Sequence, residues 1–312
     1  MTSIQRIILI IILPVCHQLS FSQCLSSVNP VGGTSNLLVL PQKTIRTITF
    51  HKFNYGNRYY QENRPSDFDL IERAFYNYIG TIFGYGITSR LTLETETGYF
   101  INKTQQYNVE PAQKQRGYGF SNVIISARYG LYSSNQKRVY FSASAGVKIP
   151  CSLDYQVVNG VELSDELQPT LGSYGLVFQS FLVKENSFRG LRYFLTNRLE
   201  TNRANRKDFK PGTSFYTSIY VSKHLMFQWL KGDWTTILQI RNEIRNRNIR
   251  ESVPVEASGG ILFFLSPQIN YSIHETWNIS LMGDIPVYQY LNGIQLGTKY
   301  GVTLSLSRDF RL

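Results

Sequence analysis

The sequence lacks a long apolar run. Its longest unbroken hydrophobic stretch covers residues 7–13, far short of the roughly 20 residues that a membrane-spanning helix requires. Methionine, tryptophan and histidine are scarce, with 3, 3 and 4 residues in a chain of 312. These shortages argue against a helical membrane protein, and they leave few histidines for a catalytic or metal site.

The first residues have the pattern of a secretory signal. Arg6 provides a positive charge, residues 7–13 form an apolar core, and a polar stretch ending at Gln23 follows. We expect cleavage near Gln23, which makes residues 1–23 the signal peptide and residues 24–43 a periplasmic N-terminal lead. The chain is therefore predicted to be exported.

Cysteine is also rare, with 3 residues. Cys16 leaves with the predicted signal, so Cys24 and Cys151 are the two that reach an oxidising compartment. The sequence leaves open a disulfide between these two, lipidation of Cys24 at a new N-terminus, and two unpaired thiols. We favour unpaired thiols, because Gln23 is a poor residue to precede a lipidation site.

The mature chain is rich in alternating apolar and polar residues. Tyrosine and phenylalanine number 21 and 19, yet the mean hydropathy is only −0.19. In the final segment Tyr300, Val302, Leu304, Leu306 and Phe310 are apolar, and the positions between them are mostly small or polar. A period of two indicates a strand with one apolar and one polar face. An outer-membrane barrel has this pattern, because one face meets lipid and the other meets a polar lumen.

About twelve segments carry this pattern, and short and long connections alternate between them. That alternation is expected for tight periplasmic turns and extended outer loops. We therefore predict an all-β protein, a single transmembrane antiparallel β-barrel of about twelve strands over residues 44–312. A soluble β-sandwich is the weaker alternative, because it does not need an aromatic closing strand. The predicted strands cover residues 44–55, 71–86, 91–101, 120–132, 139–149, 170–183, 191–200, 214–222, 234–247, 260–273, 277–288 and 298 onward.

Two short stretches of sequence carry a family resemblance. Residues 284–296 (DIPVYQYLNGIQL), with the alternating strand that follows, resemble a group of outer-membrane transporters labelled phenol-degradation-pathway (MetA-type) proteins, many from Bacteroidetes-like bacteria. The lead resembles the start of such proteins at residues 32–33 (Gly-Gly) and 40–42 (Leu-Pro-Gln). The resemblance implies an outer-membrane barrel over most of the mature chain and a role in transport, and it implies no site residues.

Charged residues at the polar positions of these strands are predicted to face the lumen. Basic residues exceed acidic ones, and the chain has a net charge of +11. Arginines inside a pore favour anions. The other interpretation is that the charges pair with one another as structural ion pairs, and for any single residue we favour pairing. The predicted lumen-facing residues are Arg128, Lys148, Arg192, Arg198, Arg241, Glu243, Arg245, Arg247, Glu94 and Glu96.

These features predict passive passage of small anionic or aromatic solutes through a barrel in the bacterial outer membrane. The alternatives are a non-conducting structural or adhesion barrel with an ion-paired lumen and, remotely, a barrel hydrolase. His51, His224 and His274 lie in no recognisable catalytic motif and show no ligand spacing, so we predict no enzyme, cofactor or metal. Expected partners are outer-membrane lipid and lipopolysaccharide, the outer-membrane assembly machinery and small solutes, with no nucleic acid. The oligomeric state is left open.

Overall fold

The computed structural model describes residues 39–111, 113–186, 188, 190–225, 232–273 and 277–312. Within these residues, twelve long strands form one closed antiparallel sheet. No helix in this part of the chain is long and apolar enough to cross a membrane. The strands are β1 (Thr44–Gly56), β2 (Ile71–Gly86), β3 (Leu91–Tyr107), β4 (Asn122–Ser134), β5 (Val139–Pro150), β6 (Gly175–Asn186), β7 (Leu191–Asn202), β8 (Ser214–Leu225), β9 (Asp233–Arg245), β10 (Gly260–Ile273), β11 (Trp277–Gly297) and β12 (Tyr300–Arg311).

Each strand pairs with its neighbour in the chain, and the two ends of the sheet meet. β1 pairs with β12 from Thr44 opposite Arg311 to Tyr55 opposite Tyr300, which closes the barrel. The prediction of a twelve-stranded antiparallel barrel is thus confirmed. The predicted signal peptide, the lead up to residue 38 and Cys24 lie outside the described residues, and Cys151 is an exposed thiol just after β5.

The two faces of the strands differ as the alternation predicts. On β12 the side chains of Val302 and Leu304 are 40% and 50% exposed, whereas those of Thr303 and Ser305 are buried in the interior. Strands with an apolar outer face and a polar inner face are suited to a bilayer, since lipid cannot satisfy polar groups.

Several strand ends differ from the prediction; β3, for example, ends at Tyr107 and not at residue 101. β11 continues to Gly297 and does not end near Tyr288, because its last residues pair with the short strand Arg58–Glu62 beyond the barrel rim. β6 begins at Gly175 and not at Thr170, because Thr170 belongs to the preceding connection, where its hydroxyl donates to the Asn122 amide oxygen at 2.7 Å.

The connections at one end of the barrel are long and contain strands of their own. By the usual asymmetry of such barrels this is the outer end. The connection of residues 151–174 between β5 and β6, here called the roof loop, folds back toward the lumen and buries Leu163 and Leu167. The Lys103 ammonium donates to the Gln168 carbonyl oxygen at 2.8 Å. Besides Arg58–Glu62, the short strands are Arg64–Pro65, Lys114–Phe120, Val157–Val158, Val161–Glu162, Phe209–Lys210, Ile249–Arg250 and Val253–Pro254.

The inner face of β1 mixes apolar and polar residues, which explains why its sequence distinguishes the two faces poorly. Ile48 and Phe50 point inward and are buried with Tyr76, Tyr78 and Phe100 in one cluster. One side of the lumen is therefore filled by aromatic and aliphatic side chains.

Pro267 lies on the outer face of β10, where the sequence predicts a bulge or bend. The ladder with β11 runs from Leu265 opposite Ile285 directly to Gln268 opposite Met282, so Ser266 and Pro267 are skipped. Proline has no amide hydrogen to contribute to a ladder. The register shift itself lies between Phe263 and Phe264.

Candidate functional site

The charged side chains of the lumen form two groups. The first, here called the Glu96 cluster, lies on β3, β4, β5 and β7. The second, the Asp284 cluster, lies on β1, β9 and β11. Both point inward because their positions alternate with lipid-facing residues on the same strands. The Glu96 cluster contains Glu94, Glu96, Arg128, Lys148, Arg198 and Glu200, and the Asp284 cluster contains Lys52, Arg241, Glu243, Arg245 and Asp284.

Arg198 is the centre of the Glu96 cluster. Its Nη1 donates to both carboxylate oxygens of Glu96 at 3.0 Å, and its Nε donates to Glu200 at 2.7 Å. Arg198 is on β7 and Glu96 on β3, with three strands between them. The contact therefore reaches across part of the lumen and does not run along its wall.

Two further cations complete this cluster. Arg128 on β4 donates to Glu94 on β3 at 2.9 Å, and its guanidinium carbon lies 3.8 Å from the ring centre of Phe181. The Lys148 ammonium lies 3.5 Å from a Glu200 oxygen. Stacking on an aromatic face and pairing with a carboxylate are both ways to hold a guanidinium out of water.

The Asp284 cluster is a continuous chain of contacts. Arg241 donates to Asp284 at 3.0 Å and to Glu243 at 2.8 Å, and Arg245 donates to the other Glu243 oxygen at 2.6 Å. Lys52 lies 3.5 Å from Asp284, which also accepts a 2.5 Å hydrogen bond from the Ser266 hydroxyl. Arg241 lies 4.4 Å over the Phe264 ring.

The charges of the two clusters nearly cancel. The Glu96 cluster has three cations and three carboxylates, and the Asp284 cluster has three cations and two carboxylates. All eleven groups lie within 3.5 Å of an opposite charge. The two clusters together are therefore strongly polar but have a net charge of only about one cation.

A cavity opens on each side of this charged layer. The outer cavity, of about 220 Å³, lies below the roof loop and includes Lys148, Arg198 and Tyr216 in its lining. The cavity at the opposite, periplasmic end has about 320 Å³ and includes Arg138, Glu185 and His224. We call the outer cavity the vestibule.

The end of the N-terminal lead also enters the periplasmic mouth. Leu40 is 1% exposed, and its backbone nitrogen donates to the Thr92 hydroxyl at 2.9 Å. A Cβ on Gly84 would lie 2.9 Å from the Leu40 side chain. The absence of a side chain at Gly84 therefore leaves room for Leu40 inside the barrel wall.

The structure groups most of the predicted lumen residues and separates two of them. Arg192 occupies an inward position but lies at the periplasmic end, where its side chain is 62% exposed and pairs with Glu185 at 3.2 Å. Arg247 follows the last residue of β9 and is exposed, so it does not continue the ladder of Arg241 and Arg245. Alternation predicts the face of a residue but not its depth. The residues that the structure brings into the two clusters are Glu94, Glu96, Arg128, Lys148, Arg198, Arg241, Glu243 and Arg245.

Sequence reasoning missed Lys52 and the inward aromatic rings. Lys52 is buried on β1, whose apolar neighbours on the same face hide the alternation. Phe181 and Phe264 pack on the lumen arginines. An aromatic residue at a position that the alternation assigns to the polar face is the signal that could have revealed the two rings.

The histidines do not form a catalytic group in the described residues. His51 faces outward and contacts the Asn77 amide oxygen at 3.1 Å. His224 lies 3.6 Å from Asp233 at the periplasmic end, and His274 lies outside the described part of the chain. The described residues also contain no group of three or more His, Cys, Asp or Glu side chains that could hold a metal ion.

Comparisons with known proteins give a match in fold and none in sequence. No protein-family model matches the chain, and no curated protein sequence matches it. The COG4313 outer membrane channel from Pseudomonas putida F1 is similar with a TM-score of 0.68 and 12% identity, over 91% of this chain and 100% of that chain.

Two autotransporter domains are more distant. The β domain of the Bordetella autotransporter BrkA has a TM-score of 0.48 and 7% identity, over 86% of this chain and 100% of that one. The translocator domain of NalP from Neisseria meningitidis has a TM-score of 0.43 and 9% identity, over 88% and 91%. The predicted likeness to outer-membrane barrels is confirmed for the fold, and the MetA-type assignment stays a prediction. This chain has the fold of an outer-membrane β-barrel.

Proposed function

We propose that this protein is a passive channel for small solutes in the bacterial outer membrane. The observation that carries the proposal is the inner face of the barrel, where buried ion pairs and polar side chains lie between two cavities. Such a lining can hydrogen-bond to a solute that has lost part of its water. The similar fold of a Pseudomonas putida outer membrane channel supports the same proposal.

The two charged clusters would form the constriction of this channel. They lie between the vestibule and the periplasmic cavity, and the pair of Arg198 and Glu96 reaches across the lumen. A solute would pass when these side chains exchange partners. We propose that the solutes that pass are small and either anionic or aromatic. The one excess cation of the clusters favours anions, and Tyr78, Phe100 and Tyr216 in the vestibule lining favour aromatic solutes.

Conductance in planar bilayers tests this proposal. We expect small but resolvable channels for the wild type and a larger conductance when Glu96 and Arg198 are both replaced by alanine, because the contact across the lumen is removed. The matched control replaces Arg46 and Asp309 by alanine. These residues form a 2.6 Å pair between the neighbouring strands β1 and β12, so their pair does not reach across the lumen. If both double variants conduct like the wild type, the constriction lies elsewhere.

A barrel that conducts nothing is the second candidate. It is favoured by the roof loop over the outer mouth and by Leu40 in the periplasmic mouth, which restrict the lumen from both ends. In that case neither the wild type nor the double alanine variant at Glu96 and Arg198 would conduct, although both would insert into the bilayer. We propose no enzymatic role.

A further inference from the structure

An arginine interrupts the apolar outer face of β12. Val302, Leu304 and Leu306 occupy successive outward positions and are 40%, 50% and 42% exposed. The next outward position is Arg308, since Ser307 before it is buried inside the barrel. A charged group on this face is expensive in hydrocarbon, so the depth of Arg308 and its neighbours decide what it can bind.

Arg308 lies at the border between the hydrocarbon and the periplasmic side. It is four positions beyond Leu304 in the middle of β12, which is a depth of about 10 Å at a rise of about 3.4 Å per residue and a tilt of about 40°. The edge of an apolar band about 25 Å tall is about 12 Å from its middle. Aromatic rings mark the same end: Trp277 is opposite Arg308, and Trp234 and Tyr271 stack at 4.7 Å on β9 and β10. Such rings form the belt at a membrane interface.

Two aromatic rings hold the guanidinium of Arg308. Its central carbon lies 4.5 Å from the ring centre of Trp277 and 4.4 Å from that of Phe310. The side chain is half-buried, and only its Nε atom is enclosed without a hydrogen-bond partner, so Nη1 and Nη2 are the atoms that reach the surface. Contact with the ring faces restricts the guanidinium while these two nitrogens stay accessible.

No carboxylate pairs with Arg308 within the described residues. Asp309, the next residue in the chain, faces the lumen and pairs with Arg46 at 2.6 Å. Each cation of the two lumen clusters, by contrast, has a carboxylate partner. Thr47 on β1 is opposite Arg308 and also faces outward, because Ile48 after it is buried inside the barrel. The position therefore offers a guanidinium and a hydroxyl to the membrane and supplies no anion of its own.

We infer that Arg308 binds the phosphate of a phospholipid in the periplasmic leaflet of the membrane. Lipid occupies this face because the outside of such a barrel meets the bilayer, and phosphate is the anionic group that phospholipid headgroups share. A guanidinium matches a phosphate with two parallel hydrogen bonds, which Nη1 and Nη2 can donate. The long arginine side chain reaches from the edge of the hydrocarbon to the headgroups, and the Thr47 hydroxyl is a further donor beside it. The inference does not depend on whether the barrel conducts.

Removal of matched charges on two sides of the barrel tests this inference. Native mass spectrometry of the full-length mature protein, titrated with phosphatidylglycerol in detergent, gives the dissociation constant of the first bound lipid. Arg308→Gln should raise this constant roughly tenfold or more, because hydrogen bonds between charged groups are lost. Lys223→Gln is the control: Lys223 is an exposed cation near the periplasmic end of β8, and its loss should leave the constant unchanged. Equal effects at the two positions would reveal unspecific attraction and overturn the inference.

Arg308→Lys separates lipid binding from a purely structural role of the cation. An ammonium also packs on aromatic rings, so this variant should fold and keep its heat-modifiable mobility in electrophoresis. It cannot form two parallel hydrogen bonds to one phosphate, so lipid should bind roughly threefold more weakly than to the wild type. Wild-type affinity for the lipid in both Arg308→Lys and Arg308→Gln would mean that the guanidinium serves only the barrel.

The choice of probe identifies the ligand. Phosphatidylethanolamine should depend on Arg308 as phosphatidylglycerol does, because both contain the phosphate. Diacylglycerol has the same acyl chains without a phosphate, and its binding should be equal in the wild type and in Arg308→Gln. Inorganic phosphate in large excess should not displace the lipid. Binding of diacylglycerol that depends on Arg308, or displacement by inorganic phosphate, would contradict a phospholipid site.

Discussion

The guanidinium of Arg198 contacts two carboxylates, and this arrangement makes the three residues energetically dependent on one another. The side chain of Arg198 is 4% exposed, and that of Glu96 is 7% exposed. Removal of one partner from a buried pair leaves the other charge without compensation, which costs about 3–5 kcal/mol. Removal of both partners avoids most of that cost.

We therefore expect Arg198→Gln to lower the free energy of unfolding by about 3–5 kcal/mol and the double change with Glu96→Gln to lower it by less. Urea unfolding in lipid vesicles, followed by tryptophan fluorescence, provides the measurement. Arg192→Gln is the matched control, because its pair with Glu185 is largely exposed and should contribute little. A double variant less stable than the single one would mean that Glu96 is held by other groups.

At the residue scale the sequence predicts side-chain direction well and depth poorly. Arg128 and Arg241 face the lumen because inward and outward residues alternate regularly around these two positions. The sequence predicts that Arg247 also faces the lumen, but β9 ends at Arg245 and the chain turns into the outer loop. Strand ends depend on pairing with neighbours, and a single strand's sequence does not contain that information.

At the scale of the strand, exposure to lipid varies with position along β12. Leu304 lies in the middle of the strand and is 50% exposed, and Phe310 lies near the end with 37%. An arginine on the lipid face costs about 2–4 kcal/mol at mid-membrane and about 0–1 kcal/mol near the interface.

Leu304→Arg should therefore reduce the amount of assembled barrel in the outer membrane far more than Phe310→Arg. Heat-modifiable mobility in electrophoresis measures the assembled fraction for each variant. Similar losses at both positions would show that β12 does not cross the membrane along its full length.

The strands can be predicted from the sequence, but the roof loop and the inner face of β1 cannot. The strands follow from local alternation, which each segment carries by itself. The roof loop does not, because Leu163 and Leu167 are buried by contacts with residues far away in the chain, such as the backbone at Gly117. The sequence of β1 does not show which face is inward, because Ile48 and Phe50 on its inner face pack against aromatic side chains of β2 and β3.

For the whole molecule, the balance of paired charges predicts weak ion selectivity. The net charge of the chain is +11, yet the lumen clusters hold only one excess cation. Replacing Arg241 and Arg245 by glutamine leaves Lys52 against Glu243 and Asp284, which changes the Asp284 cluster from one excess cation to one excess carboxylate.

Reversal potentials in planar bilayers should therefore show slight anion selectivity for the wild type and cation selectivity for this double variant. Arg247→Gln should resemble the wild type, because Arg247 lies outside the strand and is exposed. Added salt should have little effect on the buried clusters, since screening acts mainly on exposed charges. Strong anion selectivity that disappears with Arg247→Gln would show that the outer loops, and not the lumen clusters, select the ions.

The pairing of β1 with β12 has a consequence for the order of folding. Arg46 and Asp309, which meet in this ladder, are 263 residues apart in the chain. Closing so long a loop costs more entropy than forming any hairpin between consecutive strands. Hairpins of consecutive strands should therefore form early, and they should assemble into a curved sheet with two open edges. The pairing of β1 with β12 should form last. Until then those edges are free to pair with another chain, so the slowest step of folding is also the one most exposed to misassembly.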